Sequence, residues 1–123
     1  MAHYHDSTDL GQAGRLRRLA PDGFAAWERL HNDSFATTDG RIPLLYRELA
    51  AVAVALTTQC PYCISMHVAA AKRLGASEEH IAEAIFVATS VGAGGPLAHG
   101  GLALRLFDAA PDAVPDVHPE LAH

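Results

Sequence analysis

Cys60 and Cys63 are the only cysteines in the chain, and His67 follows four residues after the second. Two thiols at this spacing sit one helical turn apart, close enough to alternate between dithiol and disulfide. Proline disfavours the helical conformation in the residue before it and suits a first helical turn. Pro61 therefore predicts that Cys60 stands at a helix entrance, with Cys63 one turn further in. Unpaired amide N–H groups and the helix dipole favour a thiolate at such an entrance. His67 shares a helical face with Cys63, where an imidazole can take the thiol proton and activate the nucleophile. The helix-entrance argument alone favours Cys60 as the attacking sulfur, and the histidine argument favours Cys63. The histidine is the specific proton acceptor, so Cys63 is assigned the attack and Cys60 the resolving role.

Other readings of the pair compete. Free cysteines often serve as small buried hydrophobes. Cys60, Cys63 and His67, with Glu48 or His99 as a fourth ligand, can also hold zinc tetrahedrally in a non-catalytic or regulatory module. The proline boundary and the histidine one turn away favour redox chemistry. A structural staple is a poor explanation, because closing so short a loop adds little stability and secreted scaffolds use more cysteines at wider spacing.

The 123 residues amount to a single domain, with a loose tail at about 110–123. The formal net charge is -5, and Arg15, Arg17 and Arg18 form the one basic cluster, so nucleic acid is not an expected partner. The N-terminus, MAHYHDSTDL, has neither a basic start nor an apolar stretch. The longest apolar run, 49–56, is eight residues, against about 20 for a membrane span. The expectation is a cytoplasmic protein without a membrane partner.

The elements that must position these residues read as helices throughout. They are expected at 10–19, 22–35, 43–57, 62–74, 78–91 and 96–109. Phe24, Trp27, Leu30 and His31 recur at helical spacing, which makes 22–35 an amphipathic helix, and Trp27 with the aromatics at that spacing is assigned to the core. The helix at 43–57 is apolar on nearly every face, which predicts burial all round. Gly75 is a C-cap and Ser77 an N-cap. Thr37-Thr38-Asp39-Gly40 is a turn, residues 1–9 are polar and mobile, and Gly92 to Pro96 breaks the last helical stretch in two. His3 and His5 are weak metal ligands at most. Glycines 92, 94 and 95 do not match a phosphate-binding order, and His99 caps, packs or lines the site. Glu48 lies twelve residues before Cys60, roughly 18 Å away in an unbroken helix. The break at 57–61 lets the chain fold back and bring it toward the Cys/His face, although the residues alone favour an exposed acid paired with Arg47 or Arg41.

The order Glu48, eleven residues, Cys60, two residues, Cys63, three residues, His67 resembles the Glu/Cys/Cys/His signature of the alkylhydroperoxidase AhpD-like branch of the carboxymuconolactone decarboxylase superfamily. The text from Arg47-Glu48-Leu49-Ala50 to Gln59-Cys60-Pro61-Tyr62-Cys63-Ile64 is similar as well, and the resemblance extends over about 43–107, which it implies is the helical core of the domain. The N-terminal stretch and the Gly94-Gly95 to His99-Gly100 segment resemble a peroxidase-like subgroup associated with arsenosugar biosynthesis. The resemblance implies an all-α bundle of about six helices in a homo-oligomer, trimer or hexamer, with subunit-exchanged or tightly packed helices. It implies a peroxidase or disulfide reductase in which Cys63 is peroxidatic, Cys60 resolving, and Glu48 and His67 a proton relay. A hydroperoxide or other small molecule is then the substrate and an external dithiol or lipoyl protein the electron donor, with no cofactor or metal required. Tyr62 departs from the family, which often has a histidine between the cysteines. The lactone-decarboxylating members share the fold without relying on a cysteine pair, so a lyase reaction on a small metabolite is the less favoured alternative.

Overall fold

The computed structural model describes residues 4–36 and 40–112 and is all-helical there. A 3-10 helix, Ser7–Gln12, leads into α1 (Ala13–Leu19), α2 (Pro21–Ser34), α3 (Leu44–Thr57), α4 (Pro61–Arg73) and α5 (Glu78–Ala109). Contacts group the chain into two compact units, Met1–Ser90 and Val91–His123. Thr37, Thr38 and Asp39 of the expected turn, His3, and most of the expected tail lie outside the described residues.

In the first unit α3 and α4 pack together more extensively than any other pair of elements. Small side chains make this close approach possible. Val52 and Ala55 of α3, Ala71 of α4 and Ala88 of α5 are the buried apolar residues. The connection between α3 and α4 is only three residues long. Thr58 ends α3, Gln59 takes a positive φ of 55°, and the Cys60 amide donates back to the Ala55 carbonyl at 3.1 Å. Cys60 then adopts extended angles and becomes the N-cap of α4, with Pro61 in the first turn. One residue thus closes one helix and opens the next.

α4 ends in a Schellman motif around Gly75, whose φ is 96°. The Gly75 amide donates to Lys72 and that of Ala76 to Ala71, each at 3.0 Å, which satisfies carbonyls left over at the helix end. Ser77 caps α5: the His80 amide donates to its hydroxyl and the Ser77 amide donates back to the His80 ring. This is a capping box with histidine where glutamate is usual.

Four expectations need correction. The glycine-rich stretch does not break the last helix, and α5 runs for 32 residues with Pro96 inside it, so the described residues form five α-helices. Proline lacks one amide hydrogen bond and its ring crowds the β-carbon of the residue before it, but that residue is Gly95, which has none. Residues 7–12 are ordered as a capped 3-10 helix, closed by a reciprocal Asp6–Asp9 capping box. α3 is not buried all round, since Val54 and Tyr46 are exposed, because a chain this short cannot cover every apolar face. Trp27 is 53% exposed and so is not core.

In the second unit the described chain is the latter part of α5. Leu97, Leu104 and Phe107 are all largely exposed there. α5 is long and apolar enough to cross a membrane by length and composition alone. Its small and apolar residues are interleaved with isolated polar ones, which is why no long apolar run marks it in the sequence.

The left-handed conformation at Gln59 is one that glycine adopts freely and β-branched residues resist. Gln59→Gly should raise stability by up to about 1 kcal/mol and Gln59→Val should lower it by about 1–2 kcal/mol, read from urea unfolding. An equal loss in both variants would mean that the Gln59 side chain, not its backbone angle, matters at the turn.

Candidate active site

The hairpin of α3 and α4 brings together Glu48, Cys60, Cys63 and His67. Cys60 and Cys63 are joined as a disulfide with a Cα–Cα distance of 5.3 Å, inside the usual range for such a bond. The Cys63 amide donates to the Cys60 sulfur at 3.2 Å, so one of the free N–H groups of the α4 entrance points at Cys60. Cys63 and His67, but not Cys60, line a cavity of about 430 Å³.

His67 Nδ1 lies 2.7 Å from Glu48 Oε2. Glu48 is 6% exposed, the one buried charged side chain among the described residues. An ionised carboxylate only accepts, so Nδ1 carries the proton and donates to Glu48. The other ring nitrogen, Nε2, then holds a lone pair in the neutral imidazole and can accept a proton. Glu48 therefore fixes both the orientation and the tautomer of the ring. It is not the exposed partner of Arg47 or Arg41 that its residue type alone suggests.

An aromatic column from α2 borders the site. Trp27 stacks on His31 with centroids 5.1 Å apart, His31 lies 4.9 Å from Phe35, and Phe35 stacks on His67 at 4.9 Å. Aromatic pairs at these separations are favourable beyond their buried area. Phe35, Ser34 and Arg47 all line the Cys63 cavity, and the sequence reading assigned none of them to the site. The signal was available: residues 27, 31 and 35 repeat every four positions and mark one face of α2.

Tyr62, between the cysteines, turns away toward the N-terminal segment. Its hydroxyl donates to the Asp9 carboxylate and lies 3.3 Å from His5 Nδ1. The Asp9 carboxylate, accepting that proton, holds the Tyr62 phenol above the usual tyrosine range. His99 belongs to the second unit, is exposed, and bonds from its ring to the Gly95 carbonyl one turn earlier at 3.0 Å. Among the described residues no group of three or more His, Cys, Asp or Glu side chains is arranged to hold a metal ion.

Fold and site together define an all-helical protein with a Cys-x-x-Cys pair backed by a buried Glu–His pair. The model of the carboxymuconolactone decarboxylase family matches residues 21–105, and the chain belongs to that family. It is 40% identical over 102 residues to "uncharacterized protein 4 in cox locus" of Paracoccus denitrificans, covering 83% of this chain and 87% of the relative. An uncharacterized protein of Cupriavidus necator is 33% identical over 98 residues, covering 80% and 85%. A crystal structure of an apo carboxymuconolactone decarboxylase family protein from Legionella pneumophila superposes with a TM-score of 0.63 at 30% identity, covering 84% of this chain and 91% of that one.

Removing the ring leaves the buried Glu48 carboxylate without its hydrogen-bond donor. His67→Leu should therefore cost about 3 kcal/mol, while Glu48→Met with His67→Leu should recover most of that loss. Urea unfolding of the single and double variants measures both. A loss below about 1 kcal/mol in His67→Leu would contradict a Glu48 that depends on this ring.

Proposed function

We propose that the chain is a thiol-dependent peroxidase and disulfide oxidoreductase, with Cys63 as the attacking thiol, Cys60 as the resolving thiol, and Glu48 and His67 as the proton relay. The observation that carries this reading is the cavity shared by Cys63 and His67, with the His67 ring held by a buried carboxylate. In the reduced site, Nε2 of His67 takes the Cys63 thiol proton. The thiolate attacks the terminal oxygen of a hydroperoxide and the O–O bond breaks. Cys63 becomes a sulfenic acid, and the proton held by His67 returns to the departing alkoxide, which leaves as an alcohol. The Cys60 thiol attacks the Cys63 sulfur, water departs, and the disulfide forms. An external dithiol, such as the lipoyl group of a partner protein, returns two electrons and restores both thiols.

Residues 1–123 act as one domain within a homo-oligomer, hexamer before trimer, in the cytoplasm. Support comes from the apolar side chains that a single copy leaves uncovered, among them Phe86, Val91, Leu97 and Phe107. Burying such surface is the main driving force of association.

A peroxide-consumption assay with a dithiol donor tests the reading. Cys63→Ser should be inactive, and Cys60→Ser should complete one turnover and accumulate a sulfenic acid or mixed disulfide on Cys63. Full activity in both variants would end the thiol proposal. A lyase activity on a lactone-like metabolite that persists in Cys63→Ser would favour the decarboxylase chemistry instead.

A further inference from the structure

The cavity at Cys63 is walled mainly by apolar side chains, including Phe35, Val54 and Ala55. One full charge joins them besides the titratable site groups: the guanidinium of Arg47. Arg47 Nε donates to the Ile42 carbonyl at 2.9 Å and Nη1 to the Ser34 carbonyl at 3.1 Å. These bonds hold the group in place and use two of its five N–H donors. Both acceptors are neutral carbonyls, and among the described residues no carboxylate pairs with the group. The ion pairs among the described residues are Arg17–Glu28 and His67–Glu48, and neither includes Arg47.

Gly40 contributes to this arrangement. A β-carbon there would fall 2.9 Å from Arg47 Nη2, so only glycine leaves the guanidinium its present position. A positioned cation in an apolar cavity suits an anion that brings an apolar body with it. Arginine's planar fork matches a carboxylate in particular. As a sphere, the cavity would be roughly 9 Å across, room for a small substituted ring or a short branched chain.

We propose that this site selects an apolar organic substrate bearing a carboxylate, which meets Arg47 while the reactive bond meets Cys63. The reacting end rests on the thiol reading above. The anion end rests on Arg47 and the cavity, and it can be tested without turnover.

Calorimetric titration with 4-isopropylbenzoate, an inert probe, and with its neutral amide reads the anion end alone. The benzoate should bind wild type at least tenfold more tightly than the amide. That preference should vanish in Arg47→Gln, shrink in Gly40→Ala and persist in part in Arg47→Lys. A purely structural Arg47 would weaken both probes alike. Equal affinity of the two probes for wild type would overturn the proposal. Where Arg47→Gln does not fold, the wild-type comparison and Gly40→Ala still decide it.

The turnover arm compares cumene hydroperoxide with its para-carboxylate. The carboxylate form should have about tenfold higher kcat/KM, mostly through a lower KM, and the advantage should fall with added salt as charge attraction is screened. If neither peroxide is consumed but the benzoate preference holds, the peroxidase reading fails and the anion site stands. If both are consumed at equal kcat/KM, the anion site fails and the peroxidase reading stands.

Discussion

A single buried carboxylate organises this site. Glu48 comes from α3, His67 from α4, and their 2.7 Å bond ties the two helices together on the side where Cys63 meets the cavity. An unpaired carboxylate in that position would be costly, so His67 cannot rotate away without exposing the fold to that cost. The constraint that holds the hairpin together also sets the tautomer of the ring. Structure and chemistry share one interaction, and a change to either partner acts on both.

The turn at Thr58–Cys60 makes that interaction possible. Without it, Glu48 and the cysteines would lie on one continuous rod. The left-handed Gln59 and the return bond from Cys60 to Ala55 reverse the chain within three residues. Pro61 then starts α4 at once. Small residues at Ala55 and Ala71 let the two helices approach closely enough for a glutamate and a histidine to touch. On the opposite side, Tyr62 fastens the N-terminal 3-10 helix to the same turn through Asp9. The residue between the two cysteines is thus a phenol that faces away from the cavity chemistry.

The parts of the site governed by local spacing were legible in the sequence. Pro61 marked the helix start, Cys60 its cap, and His67 the neighbour of Cys63, because each follows from one helical period. Glu48 was legible only through the family resemblance, since its partner lies 19 residues on, across a turn. Arg47, Phe35 and His31 were not assigned to the site for a related reason: their role depends on how α2 meets α3 and α4. The continuous α5 was missed because local rules for glycine and proline count breakers, whereas Gly95 lacks the β-carbon that Pro96 would crowd. The open face of α3 reflects a chain too short to cover its own apolar surface.

The central claim is that the Glu48 charge, acting through His67, makes Cys63 a nucleophile. The most direct test is the rate of Cys63 alkylation by iodoacetamide in a reduced Cys60→Ser protein, followed from pH 6 to pH 9 with and without Glu48→Gln. The account predicts that Glu48→Gln slows alkylation about tenfold or more near pH 7, with the difference closing as the pH rises and the thiol ionises unaided. Superimposable rate profiles for the two folded proteins would contradict it.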